Sequence, residues 1–314
     1  MSKNTKIWLN NLIRAAVSLL LLYFIYRQVI KQLNGIDSNA WKHTGDIAYL
    51  WLCILFMIIN VFLESSKWYL LATSVTPTTY LRAFSSYLVG IACSVITPNR
   101  IGEYPGRIFY LGNTNTFRYI TVAILGISAQ LFSLYAFGIL GLVYFNIAFP
   151  ATMAKIALGI CLMASLAIAV IYLRFDAWLP VIGRIKWLHK FSVYGSLLYR
   201  IPVKKKLQVL SISLLRFGIF TAQYLFLLKW MSIDIPFAEG FCMAALFFWL
   251  LAVIPSIALT ELGIRGTVSL YLFQHFSLNS VGILAATVGI WLLNLILPSI
   301  LGSILIMRMR LLRE

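Results

Sequence analysis

The sequence predicts an all-α integral membrane protein of six transmembrane helices plus two re-entrant helical hairpins, arranged as an inverted repeat. Three observations carry that expectation. Of 314 residues, 61% are hydrophobic and only 11% charged, with a mean hydropathy of +0.89, which is more apolar surface than a water-soluble fold can bury. The basic residues gather in a few connections. Two apolar stretches are interrupted by Pro and Gly at matching places in the two halves of the chain. At roughly 20 residues per crossing, little chain is left for a separate soluble nucleotide-binding or acyltransferase domain.

The first apolar stretch, Ile7 to Ile30, is too long for the core of a signal peptide and is not followed by a small-residue cleavage site. It reads as a retained first span. Ile47 to Leu63 is the second span, and Tyr80 to Thr97 the entering arm of the first hairpin. Tyr119 to Phe145, Lys155 to Leu173 and Leu207 to Leu228 are the third, fourth and fifth spans. Phe237 to Ile254 enters the second hairpin, the short run Thr267 to Phe276 leaves it, and Val281 to Met307 is the last span.

Orientation follows from the positive-inside rule. The stretch 174–206 holds Arg174, Arg184, Lys186, Lys190, Arg200, Lys204, Lys205 and Lys206 against Asp176 alone, so it is expected in the cytoplasm, as are both termini. If every apolar run crossed once, that loop would lie outside, together with Arg100, Arg107 and Arg118. A hairpin that enters from the cytoplasm, breaks at Pro98 and returns through Tyr110 removes the conflict. A second hairpin, broken at Pro255 and opening to the outside, is then required. Residues 1–150 and 151–314 become two repeats of span, span, hairpin and span, inserted from opposite faces. The expected location is the cell (inner) membrane.

A net charge of +17, from 26 Lys and Arg against 9 Asp and Glu, would point to nucleic acid in a soluble protein. In this setting it reads as topology and as attraction to anionic headgroups, and no nucleic-acid partner is expected. Cys53, Cys93, Cys161 and Cys242 stand singly in apolar runs, and His43, His189 and His275 lie far apart, so no metal and no cofactor are expected. Glu64 and Lys67 read as a local pair or as snorkelling side chains, and Arg216 as snorkelling from a cytoplasmic end. Gln130, Gln223 and Asn294 read as interhelical hydrogen-bonding groups.

The two breaks share a pattern. TPNRIGEYPGR contains Pro98, Arg100, Gly102, Glu103 and Arg107; IPSIALTELGIRG contains Pro255, Glu261, Gly263 and Arg265. In each, a proline precedes a glutamate, and an arginine follows four residues later on the same helix face. Pro and Gly let the backbone leave the helix, which is tolerated at membrane depth where the freed groups are buried in protein or line a wet cavity. Interrupted segments at matching positions of two repeats point to a substrate site. Arg100, Glu103, Arg107, Glu261 and Arg265 are therefore the candidate headgroup-binding residues, with internal Glu–Arg ion pairs as the alternative reading. No nucleophile with a base is apparent, so enzymatic chemistry is not expected.

ESSKWYLLATS (Glu64 to Ser74), TPNRIGEYPGRIFYL (Thr97 to Leu111) and PSIALTELGIRG (Pro255 to Gly266) together resemble the lysylphosphatidylglycerol synthase transmembrane-region family, also described as flippase-like. The likeness covers nearly the whole chain. Its most specific part is carried by Pro98, Arg100, Gly102, Glu103 and Arg107; the second motif differs in order, with Glu261 ahead of Gly263. In full-length synthases this region moves aminoacylated phosphatidylglycerol between leaflets while a soluble domain attaches the amino acid. The resemblance thus implies a stand-alone lipid translocator, whose substrate is an aminoacyl-phospholipid, a glycolipid or a polyprenyl-linked lipid. The expected partners are membrane lipids with anionic headgroups. The alternative is a membrane-embedded accessory subunit that presents lipid to a glycosyltransferase or lipid-modifying enzyme docked on the 174–206 loop.

Overall fold

The computed structural model describes residues 16, 18–27, 29–30, 45–95, 97, 100–112, 115–174, 201–254 and 261–307. Among these residues every regular element is helical. The helices are α1 (Ser18–Arg27), α2 (Ile47–Ala72), α3 (Tyr80–Val95), α4 (Glu103–Leu111), α5 (Thr116–Ala148), α6 (Thr152–Leu173), α7 (Val203–Trp230), α8 (Phe237–Val253) and α9 (Glu261–Phe273). The last is α10 (Ser280–Met307). Five of them, α2, α5, α6, α7 and α10, are long and apolar enough to cross a membrane. The first expected span overlaps α1, and the rest of Ile7 to Ile30 lies mainly outside the described residues, as do Pro98, Pro255 and residues 175–200.

Apolar runs alone misplace several ends. The second expected span stops at Leu63, whereas α2 continues to Ala72, because Glu64 and Lys67 neutralise each other inside the helix. The fifth starts at Leu207 on apolarity, whereas α7 starts at Val203 and carries Lys204, Lys205 and Lys206 in its first turn. Local chemistry sets other boundaries. Asp46 accepts from the Ala48 N–H at 2.9 Å and Asn279 from Gly282 N–H at 2.9 Å, each satisfying a donor that the helix start leaves free. In α10, Pro298 has no N–H to offer, and the preceding turn Leu292–Ile296 widens to π spacing, with the Leu297 N–H bonded to Leu292 O.

Helices α2 and α7 pack side by side at the centre, α3 folds back on α4, α8 lies along α5, and α3 lies along α10. Close approach is bought with glycine. A Cβ at Gly302 of α10 would collide with Leu88 O of α3, and one at Gly90 of α3 would sit 2.5 Å from Glu103 O of α4. Helix α1 joins through Ser18, whose hydroxyl donates to Ser303 O at 3.1 Å. The apolar core around α7 and α8 is aromatic, with Tyr224 stacked on Phe247 and edge-on to Phe273 of α9.

Candidate functional site

Five charged side chains from α2, α4 and α7 converge inside this apolar assembly. Glu64 is their hub. Its carboxylate meets Lys67 Nζ at 2.7 Å, Arg107 Nη2 at 3.0 Å and Arg216 Nη1 at 3.0 Å. Arg107 also bonds Glu103, one helical turn back on α4. Neutral groups complete the cluster: Arg216 Nε donates to Asn60 Oδ1 at 2.7 Å, and Gln130 Oε1 accepts from Arg216 at 3.2 Å and from Lys67 at 3.3 Å.

The guanidinium of Arg107 is enclosed by three rings, those of Trp68 at 5.4 Å, Tyr87 at 4.8 Å and Tyr104 at 4.8 Å. Such faces attract a desolvated cation. Its backbone is held as well, since the Trp68 indole N–H donates to Ser86 Oγ at 3.0 Å and Ser86 Oγ donates to Arg107 O at 2.8 Å. Glu64, Lys67 and Arg107 are each about 1% exposed, whereas the side chains of Glu103 and Arg216 keep 25% and 24% of their surface. The buried members are thus fixed, and the cluster is reachable through its two rim members and through Gln130, which is exposed.

Electrostatically the five groups do not balance. Three cations face two carboxylates, an excess of one positive charge among the described residues of the cluster. A charge at membrane depth costs on the order of 3 kcal/mol unless paired, so an anion brought to the rim would complete the set. A second polar layer ties α2, α7 and α10: the Gln223 amide donates to Cys53 O at 2.9 Å and accepts from Asn294 Nδ2 at 2.9 Å, with Asn294 inside the π turn.

Of the residues singled out from sequence, Glu103 and Arg107 meet each other and join Glu64. Arg100 is exposed in the turn between α3 and α4, with φ of 58°, a conformation that few non-glycine residues adopt. Gly102 donates its N–H to Thr97 Oγ1 at 2.8 Å, and a Cβ there would lie 2.6 Å from Cys93 O. Arg265 is half-buried on α9, and Gly263 faces open space. Glu261 opens α9; its side chain, like Pro98 and Pro255, lies outside the described residues.

Sequence reasoning passed over Glu64, Lys67 and Arg216 as members of one site. The structure gives Arg216 partners in place of a snorkelling role: thirteen residues along α7 from Val203, it pairs with Glu64 and bonds Asn60 and Gln130. The available signal was the spacing of Glu64 and Lys67 inside an apolar helix. The interhelical reading of Gln130, Gln223 and Asn294 agrees with their bonds.

The model of the family described as the lysylphosphatidylglycerol synthase TM region matches residues 11–302. No curated protein matches the chain, and no solved structure does.

Proposed function

The chain belongs to the lysylphosphatidylglycerol synthase transmembrane-region family, which assigns it a lipid-related function in a membrane, and from that premise we propose that it moves an amphiphilic lipid with an anionic headgroup between leaflets. The observation that carries this reading is the net positive charge cluster built on Glu64, Arg107 and Arg216 in the interior of apolar helices. An anionic headgroup arriving at Arg216 would supply the missing negative charge while its acyl chains stay in lipid. Arg100, Glu103, Glu261 and Arg265 belong to the two hairpins between which the headgroup passes. The lipid is an aminoacyl-phospholipid, a glycolipid or a polyprenyl-linked lipid.

The hairpin reading draws support from length. Among the described residues, helix α3 has 16 residues, α4 has 9, α8 has 17 and α9 has 13, so no described stretch exceeds about 26 Å, short of the roughly 30 Å hydrocarbon core. The repeat reading draws support from spacing. The ends of α2 and α7 are offset by 158 residues (72 to 230), as are the last described helical residues of α3 and α8 (95 to 253). Packing follows the same exchange, with α3 along the last helix of the second half and α8 along the last helix of the first. Repeats of this kind let one bundle rock against the other around a central site.

The test is transport of fluorescent phosphatidylglycerol in proteoliposomes, read by quenching of the outer leaflet, for the wild type, Arg216→Gln and the Arg107→Ala, Arg265→Ala double variant. Movement that depends on the protein and falls about tenfold or more in the variants supports the reading. Movement that is indifferent to all three arginines removes it. The accessory-subunit reading is favoured by the basic stretch ending in Lys204, Lys205 and Lys206, and it requires a stable complex with a lipid-modifying enzyme and no intrinsic lipid movement.

A further inference from the structure

A groove of about 590 Å³ opens between α2 and the first turns of α7, lined by Leu70, Lys204, Leu207, Gln208, Ser211 and Ile212. Its chemistry is two-sided. Lys204, Gln208 and Ser211 recur at helical spacing along one face of α7 and are exposed, while Leu70, Leu207 and Ile212 form apolar walls. The mouth is cationic: Lys204 lines it and is exposed, Lys205 stands half-buried beside it, and the first turn of α7 carries no acidic residue, at a helix end whose free N–H groups already favour an anion. Lys205 Nζ is steadied on Thr73 Oγ1, at 3.3 Å, where α2 ends.

The inner end of the groove is what gives it a destination. One turn further along the same two helices stand Lys67, three residues before Leu70, and Arg216, four residues after Ile212, and both pair with Glu64. Polar groups therefore descend α7 from the lysines through Gln208 and Ser211 to the partly exposed Arg216 at the rim of the cluster. The inner end of the groove, at Ile212, is one turn of helix from a site with an excess positive charge, and the mouth at Lys204 is about three turns from it.

We propose that the groove between α2 and α7 binds the phosphate of an anionic membrane phospholipid and is the portal through which that headgroup reaches the Glu64 cluster. Lys204, Gln208 and Ser211 hold the phosphate, and Leu70, Leu207 and Ile212 bed the first methylenes of an acyl chain. The proposal rests on the lipid-handling reading above and adds to it the place and the charge of the ligand.

The test uses the full chain in vesicles of phosphatidylcholine and phosphatidylglycerol at about 3:1, with photoactivatable phosphatidylglycerol or phosphatidylcholine as probe and labelled peptides identified by mass spectrometry. Labelling of residues 204–212 by the phosphatidylglycerol probe should exceed that by the phosphatidylcholine probe about fivefold. It should fall about tenfold both in a Lys204→Ala, Gln208→Ala variant and in Ser211→Trp, which fills the groove from an exposed position. Equal labelling by the two probes, or labelling indifferent to Ser211→Trp, overturns the proposal. Displacement of the lipid probe by excess glycerol phosphate also overturns it, since the site would then take a soluble anion. Selective labelling in a wild type that moves no lipid upholds the groove and removes the translocation reading; lipid movement without selective labelling does the reverse.

Discussion

Glu64 holds three cations apart, and the cost of losing it is set by what remains. With Glu64→Ala, Lys67, Arg107 and Arg216 would share an apolar interior with Glu103 as the remaining carboxylate of the cluster, and breaking a buried pair by removing one partner typically costs about 3–5 kcal/mol. Thermal unfolding in detergent should therefore show a large loss for Glu64→Ala, partly restored in a Glu64→Leu, Lys67→Met double variant that removes the charges as a pair. Arg107→Lys tests geometry at constant charge. A lysine ammonium cannot bridge Glu64 and Glu103 and also lie flat among Trp68, Tyr87 and Tyr104, so a loss of about 1–2 kcal/mol is expected in the same assay. The sequence made half of this site legible. Glu103 and Arg107 stand four apart in one motif, which any helix brings together, whereas Glu64 and Arg216 lie 43 and 109 residues from Arg107 (64 and 216 against 107) and meet only through the packing of α2, α4 and α7. Pairwise spacing carries no record of such a meeting.

Helices in this protein are legible by type and less so by extent, for a physical reason that is the same at each misplaced end. Apolar counting stops at a charge, but a charge that is paired within the helix, as at Lys67, or that stands exposed in its first turn, as at Lys204, does not stop a helix. How the helices approach one another is written in the glycines, with opposite consequences at two of them. Gly302 faces Leu88 O so closely that Gly302→Ala must push α10 from α3, and a loss of about 1–3 kcal/mol is expected. Gly263 on α9 meets open space and has an ordinary helical backbone, so Gly263→Ala should stabilise by about 0.5–1 kcal/mol through helix propensity alone. Melting temperatures of the two variants measured side by side should move in opposite directions. Stabilisation in both would mean that the α3–α10 contact is looser than its geometry implies, and destabilisation in both would mean that Gly263 is not in open space.

At the scale of the whole molecule, the proposed inverted repeat and the positive-inside rule make one joint demand on which loops share a face. If α3 and α4 form a hairpin that enters and leaves by the cytoplasm, Thr79 before α3 and Phe117 at the start of α5 lie on the same side, together with Lys204 at the start of α7. Both Thr79 and Phe117 are exposed, so cysteines can be placed there without touching the core. Pro150, between α5 and α6, and Asp234, between α7 and α8, should lie on the opposite face; each is exposed and each follows a helix long enough to cross. In a chain whose four native cysteines are replaced, single cysteines at Pro150 and Asp234 should react with a membrane-impermeant thiol reagent in intact cells, and those at Thr79, Phe117 and Lys204 only after permeabilisation. The informative comparison is Thr79 against Phe117. If they label from opposite sides, α3 and α4 together cross the membrane and the first hairpin is lost. The cationic mouth of the α2–α7 groove would still face the cytoplasm if Lys204 labels there, where anionic lipid is drawn to basic surfaces at about 1 kcal/mol per charge. The labelling pattern therefore separates the hairpin, which concerns how the headgroup is held, from the orientation of α7, which decides the leaflet from which it is taken.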